Sequence, residues 1–325
     1  MATIKDVARV SGVSVTTVSR VLNNKGYISD LTKKKVHEAM AELSYEPSEI
    51  ARSLFRRKSN MIGLIVPNVA HPFFAELTSH IESYAQTKGY KILLCNSLLD
   101  IEKEKEYIKL LKSNQVDGII MGSHSLETEA YKDLNLPLVT LDRQIDVKIP
   151  YVCSDNYLGG TLATQALIDA GCKELVHISG NLSLDNLSNQ RYAAFKDICE
   201  AHHCQHTVYE VGVTALETND EYELLEEIFK NHPSVDGIFA SSDVIAAQII
   251  KFCHKKGKNI PTDLKLVGYD NSQFANYLVP ELTTIHQPIK SLATYSIDLI
   301  LKQLDEELTP HATILPVELI KRETC

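Results

Sequence analysis

The chain has 325 residues, 44% of them hydrophobic, and a net charge of −9, which is enough apolar content for a substantial core in more than one domain. No run approaches the roughly 18 consecutive apolar residues of a membrane helix, and MATIKDVARV has neither the basic start nor the apolar stretch of a secretory signal. Seven scattered cysteines without a C-x-x-C pair read as reduced thiols, so a cytoplasmic protein without a membrane association is expected.

Charge is unevenly spread along the chain. Residues 1–60 carry eleven basic and six acidic side chains, a net +5, which leaves −14 on the remainder. A basic head on an acidic body suits a polyanion that docks at one end.

The first 45 residues read as three short helices. Thr3 and Asp6 make a capping-box-like start, with Ile4, Val7 and Ala8 as the buried face. Gly12, in Ser11-Gly12-Val13, gives the backbone freedom for a tight turn. Ser14 caps a second helix, in which Val18, Val21 and Leu22 point inward. Val15, Thr16, Ser19, Arg20 and Asn23 recur on the opposite side. A third helix follows Ser29-Asp30, with Val36, Met40 and Leu43 as its core stripe. Helix, glycine turn, helix is the pattern of a helix-turn-helix, whose second helix enters the major groove of double-stranded DNA. Arg20 carries the planar fork that bonds guanine O6 and N7 together, and Val15 and Thr16 are placed to reach base edges or a thymine methyl. Thr3, Ser14, Thr17, Ser19, Asn23, Tyr27, Ser29 and Thr32 are small or polar groups suited to phosphates, which set register without reading sequence. The bland alternative is a small helical subdomain whose polar face is merely solvated.

From residue 60 the pattern becomes strands alternating with helices. MIGLIVP, YKILLCN, VDGIIMGS and PLVTLD read as strands, separated by FFAELTSHIESYAQTKG and EKEKEYIKLLKSN as helices. A second series runs through GGTLATQALIDAGC, ELVHISG, QRYAAFKDICEAH, TVYEVG, LLEEIFKNH, DGIFASS, VIAAQIIKFCHKKG and LKLVGYDN. Such alternation specifies parallel sheets covered by helices. Two series predict two doubly wound lobes with a ligand cleft outside the carboxyl ends of the strands.

TIKDVARVSGVSVTTVSRVLN, ISDLTKKKVHEAMAELSYEPS and ARSL resemble the headpiece of the lactose/purine/galactose repressor (LacI/GalR) family. IGLIVPNVAHPFFAEL, VDGIIMGSH, PLVTLDR, SDNYLGG, IFASSD, LKLVGYDN and LTTIHQP fall in that family's order over nearly the whole chain, with the sucrose-operon-repressor branch most similar. The resemblance implies a helix-turn-helix headpiece over 1–46, a hinge over 47–59, and a periplasmic-binding-protein-like α/β body over 60–325. In that body the N-lobe would hold about 60–155 and 287–312, and the C-lobe about 156–286 and 313–325. It marks Val15, Thr16 and Arg20 as base readers. It also marks a hinge helix from Glu49 to Arg56, with Ala51, Arg52 and Leu54 at the minor groove and Leu54 as an apolar wedge that helps bend the duplex. Arg52, Arg56, Arg57 and Lys58 would meet neighbouring phosphates.

In the body the resemblance singles out Phe73 and Phe74 as stacking residues, with Asn68 nearby. Ser123, Asp142, Arg143, Asp155, Arg191, Ser242, Asp243 and Asp270 complete the expected effector set. Carboxylates and an arginine pair with vicinal hydroxyls while aromatics cover an apolar sugar face, so a sugar or sugar phosphate is the expected effector. The partners implied are a pseudo-palindromic operator and a second copy of the chain. A homodimer is expected, with a tetramer the alternative, because the tail shows no leucine heptads.

No catalytic residue, cofactor or metal is assigned. The chain has no G-x-S-x-G, G-x-x-x-x-G-K-[ST], G-x-G-x-x-G or H-E-x-x-H motif, which argues against an enzyme. His202, His203, Cys204 and His206 lack regular ligand spacing. Two further readings stay open at this point: a free-standing sugar-binding protein, and a catabolite-control global regulator governed by a phosphorylated carrier protein.

Overall fold

Met61–Val66 carries an apolar residue at nearly every position and is buried along five of its six residues, as expected of a parallel strand covered on both faces. It anchors the first of two six-stranded sheets in the computed structural model, which describes residues 2–23, 26–45, 58–123, 131, 134–211 and 220–325. The chain divides into two compact units, Met1–Asn60 and Met61–Cys325. The hinge positions Ala51, Arg52, Leu54, Arg56 and Arg57 lie outside the described residues.

The first unit holds α1 (Ile4–Ser11), α2 (Val15–Leu22) and α3 (Asp30–Glu42). The Thr3 hydroxyl and N–H both donate to the Asp6 carboxylate, at 2.7 and 2.9 Å, closing a capping box. Gly12 ends α1 at φ 68°, a left-handed conformation that costs glycine little. Ser14 Oγ and Ser29 Oγ accept the N–H groups of Thr17 and Thr32 and start α2 and α3. Val7, Ala8, Val18, Val21, Val36 and Ala39 close over one another as the core.

In the second unit, the N-lobe sheet contains β1 (Met61–Val66), β2 (Lys91–Asn96), β3 (Gly118–Met121), β4 (Leu138–Leu141), β5 (Tyr151–Ser154) and β11 (Ala312–Leu315). Its order is β11-β5-β4-β3-β1-β2 and every pairing is parallel. Helices α4 (Pro72–Thr87) and α10 (Ile289–Leu304) cover one face through Leu77, Ile81, Leu292, Ala293, Ile297 and Ile300. Helix α5 (Ile101–Ser113) covers the other through Ile108 and Leu111.

The C-lobe sheet contains β6 (Glu174–Ser179), β7 (Gln205–Glu210), β8 (Gly237–Ala240), β9 (Lys265–Asp270), β10 (Thr283–His286) and β12 (Glu318–Ile320), in the order β12-β10-β9-β8-β6-β7. Its helices are α6 (Asn156–Asp169), α7 (Gln190–Ala201), α8 (Asp220–Asn231) and α9 (Asp243–Lys256). The chain crosses between lobes after β5, after β10 and after β11.

The second unit departs from the sequence expectation at two places. Residues 313–315, assigned to the C-lobe, pair in parallel with β5, so the last crossing falls at 316–317. The final strand, β12, runs antiparallel to β10, so the C-lobe sheet is mixed and not wholly parallel.

Candidate functional site

On the headpiece, Val15, Thr16 and Arg20 are all exposed on α2. An exposed valine beside an exposed arginine finds no core to join within its own unit. Tyr27 is fully exposed. Thr3, Ser14, Thr17, Ser29 and Thr32 are engaged in the helix caps described above, with Thr17 Oγ1 2.9 Å from Ser14 Oγ and Thr32 Oγ1 2.9 Å from Ser29 Oγ. Asn23 donates to Ser19 O at 2.9 Å, tying down the end of α2. Caps of this kind fix the pose of α2 and α3.

In the second unit, a cleft of about 320 Å³ opens where the carboxyl ends of the two sheets meet, the place this topology reserves for ligands. The N-lobe contributes His71, Phe73, Phe74, Leu141 and Asp142. The C-lobe contributes Ser179, Gly180, Asn181, Leu184, Asn186, Arg191, Ser241, Ser242 and Asp270, and Gln287 comes from a crossing segment. Phe74 stands edge-on to Phe73, ring centroids 5.1 Å apart, and to His71 at 5.8 Å. Phe73 is also part of the N-lobe core, which holds the aromatic wall in place.

Charged groups form the floor. Asp142 follows β4 and Asp270 ends β9, both with positive φ, 52° and 114°, conformations that cluster at functional sites. The Asp142 carboxylate accepts from Asn156 Nδ2 at 2.9 Å, and Asn156 Oδ1 in turn accepts from Arg191 Nε at 2.7 Å. Arg191 Nη1 donates to Ser241 O at 3.0 Å, and the guanidinium lies over the Tyr269 ring. Asp270 accepts from Gln287 Nε2 at 2.7 Å, while Gln287 Oε1 accepts from the Ser154 hydroxyl at 2.8 Å.

Burial sets the protonation of these groups. It pushes the Asp142 carboxyl up, with Arg191 opposing. Burial and the nearby Asp243 charge push Asp270 well above the usual carboxylate range. Asp243 is raised to about 7 by burial. The Thr284 hydroxyl at 2.6 Å and the Ser272 N–H at 3.2 Å oppose that rise by bonding to its charged form. Burial, and then the Arg191 charge, hold His71 down to about 4, so it meets a ligand as neutral imidazole.

Residues 3–48 match the model for bacterial regulatory proteins of the lacI family, and residues 164–325 match the periplasmic binding protein-like domain. The ribose operon repressor of Halalkalibacterium halodurans is 42% identical over 100% of this chain and 97% of its own length. The chain belongs to the LacI family. The sucrose operon repressor of Streptococcus mutans is 39% identical over 100% of this chain and 99% of its own. Among solved structures, a LacI-type regulator from Alkaliphilus metalliredigens in complex with D-xylulofuranose is 36% identical, with a TM-score of 0.73 over 82% of this chain and 98% of that one. The lac repressor dimer bound to operator and an anti-inducer is 25% identical, with a TM-score of 0.87 over 99% and 98%. As a LacI-family member the chain is a helix-turn-helix transcriptional regulator with a two-lobed effector domain.

Six of the eleven residues expected in the effector cleft of this LacI-family chain line it: Phe73, Phe74, Asp142, Arg191, Ser242 and Asp270. The other five are not among the residues that line the cleft. Asn68 accepts the Ala70 N–H in its own turn, and Asp155 caps α6 through the Leu158 N–H. Buried Ser123 meets the Ser97 hydroxyl at 2.7 Å. Arg143 is buried beside the Tyr131 ring, and Asp243 braces the segment beneath Asp270. Ser242 lines the cleft while its hydroxyl caps α9 through the Ile245 N–H.

The sequence reading missed His71, Gln287 and the asparagines of 181–189. It also missed Asn156 and Tyr269, which sit behind Arg191. Among the described residues no group of three His, Cys, Asp or Glu could hold a metal ion, and no helix is long and apolar enough to cross a membrane.

Proposed function

We propose that this regulator represses carbohydrate genes from a pseudo-palindromic operator, and that a small neutral sugar in the interlobe cleft sets its operator affinity. The observation that carries the reading is the cleft floor: two carboxyls, half-buried Asp142 and buried Asp270, beside one arginine and an aromatic wall. A phosphate dianion there would face carboxyl oxygens that carry either negative charge or at most one proton each, with a single guanidinium to offset them. A polyol donates hydroxyls to the same oxygens, accepts from Arg191, and lays its apolar face on Phe74. A volume of about 320 Å³ lies at the small end of ligand sites, about 300–1,000 Å³, which suits a small sugar.

The relatives support this reading. One structure holds D-xylulofuranose, and the similar repressors are named for ribose and sucrose operons. In the headpiece, Val15, Thr16 and Arg20 read bases, and the segment bearing Ala51, Arg52 and Leu54 enters the minor groove. Two copies on a two-fold axis present two headpieces to two half-sites. Sugar shifts operator affinity because it binds one lobe closure better than the other. The cytoplasm is the compartment in which this operates.

Calorimetric titration with ribose, xylulose, fructose, sucrose and their phosphates tests the effector. Saturable binding of a free monosaccharide, with its phosphate much weaker, supports the proposal. Preference for a phosphate ester overturns it, and silence toward every sugar leaves control by a carrier protein.

A further inference from the structure

At the crossing segments Ser154, Gln287 and Asp270 form a chain of hydrogen bonds that joins the lobes. Among the described residues, two main-chain N–H groups of the C-lobe also donate across to the N-lobe, besides the Asn156 side chain that donates to Asp142. Leu187 N–H donates to the main-chain oxygen of Asp142 at 2.7 Å. Gln273 N–H, in the C-lobe segment that follows Asp270, donates to Glu76 Oε2 on α4 of the N-lobe at 2.9 Å. Glu76 lies three residues beyond Phe73, one turn along α4 on the same helix face. It does not itself line the cleft.

We infer that Glu76 is a closure latch, a positioning residue that sets how much of the ligand-free protein is already closed. A carboxylate accepting a main-chain N–H makes a charge-assisted bond. Widening the gap by about 1 Å takes the pair beyond hydrogen-bond range, so the bond exists in the closed arrangement and is lost on opening. That difference between two states is what allows a contact to shift their balance. The bond involves no effector atom, so it strengthens binding of every cleft ligand by the same factor, by raising the fraction of binding-competent molecules. Gln273 offers its backbone, so the latch depends on the side chain at 76 alone. The side chain is about a fifth exposed, and replacing it leaves the α4 core face of Leu77 and Ile81 intact.

The inference rests on the cleft being the sugar site, and its test separates the two ideas. Spin labels or fluorophores placed on each lobe of the full-length protein report lobe separation without any sugar. Glu76→Ala widens the ligand-free distribution and Glu76→Gln does so by less. With ribose and xylulose as probes, E76A weakens both by the same roughly 3- to 10-fold, while the saturated separation returns to that of the wild type. Unchanged separation in ligand-free E76A overturns the latch, whatever the sugars do. Loss of affinity for one sugar and not the other overturns it as well, because that marks a direct contact. If wild-type protein binds no sugar, the effector proposal fails and the separation measurement still decides the latch.

Discussion

The guanidinium of Arg191 lies 3.6 Å from the ring centroid of Tyr269. Tyr269 is fully buried on β9, so the stack fixes one face of the guanidinium while Asn156 and Ser241 hold its Nε and Nη1. A planar fork clamped in this way meets a ligand with little rotamer freedom left to lose. Lysine can reproduce the charge but neither the stack nor the fork.

Arg191→Lys is therefore expected to weaken sugar binding by at least about tenfold, and Arg191→Ala by more, since hydrogen bonds to charged groups are worth about 1.5–3 kcal/mol. Operator affinity without sugar should change little. Calorimetry and gel shift on the same preparations check both halves.

Gly160 sets how closely α6 and α7 approach. A Cβ there would stand 2.5 Å from the Arg191 carbonyl oxygen, a backbone atom that cannot swing aside. Gly160→Ala should cost about 1–3 kcal/mol, as overpacking does, and should weaken sugar binding by moving Arg191. Denaturant unfolding reads the first effect and titration the second.

The carboxyl pair makes stability depend on pH. Asp243 and Asp270 titrate higher in the folded chain than in the unfolded one. Their contribution is complete below the ordinary carboxylate value of 3.8; that of Asp243 is lost as pH rises through about 7, and that of Asp270 as pH rises toward its own raised value. His71 and His177, both held down to about 4, give the opposite slope below 6.5. Comparison with Asp270→Asn cancels that opposing slope. Between pH 5 and 8 the melting temperature of the wild type should fall relative to D270N, and parallel curves would contradict the assignment.

In the headpiece, Ser14→Ala removes the cap of α2 and should cost about 1 kcal/mol of headpiece stability. Arg20→Ala leaves stability unchanged but costs about 1–3 kcal/mol of operator binding and relaxes preference at one base pair. Thermal unfolding and selection from a randomised operator library distinguish the two.

The headpiece was legible because every signal is local: Thr3–Asp6, Gly12, Ser14 and Ser29 each announce a helix boundary within three residues. The apolar strands β1, β3 and β8 were legible for the same reason. Short strands of mixed character escaped. YVCS and TTIH pair only because a neighbouring strand lies beside them, and no pattern of four residues encodes that. Strand-end carboxylates divided along the same line. Asp142 and Asp270 reach the cleft, whereas Asp155 and Asp243 look identical in sequence and turn to a helix N-terminus and to Thr284. His71 and Gln287 escaped because their neighbours in the cleft come from the other lobe or from distant strands.

The most direct test of the account is an operator-shift titration of full-length protein at fixed moderate salt, with a palindromic duplex, a scrambled competitor and a free monosaccharide panel with the matching phosphates. The account predicts selective binding to the palindrome that one free monosaccharide changes by at least tenfold while its phosphate does not. Equal binding to both duplexes, or a response to the phosphate alone, would contradict it.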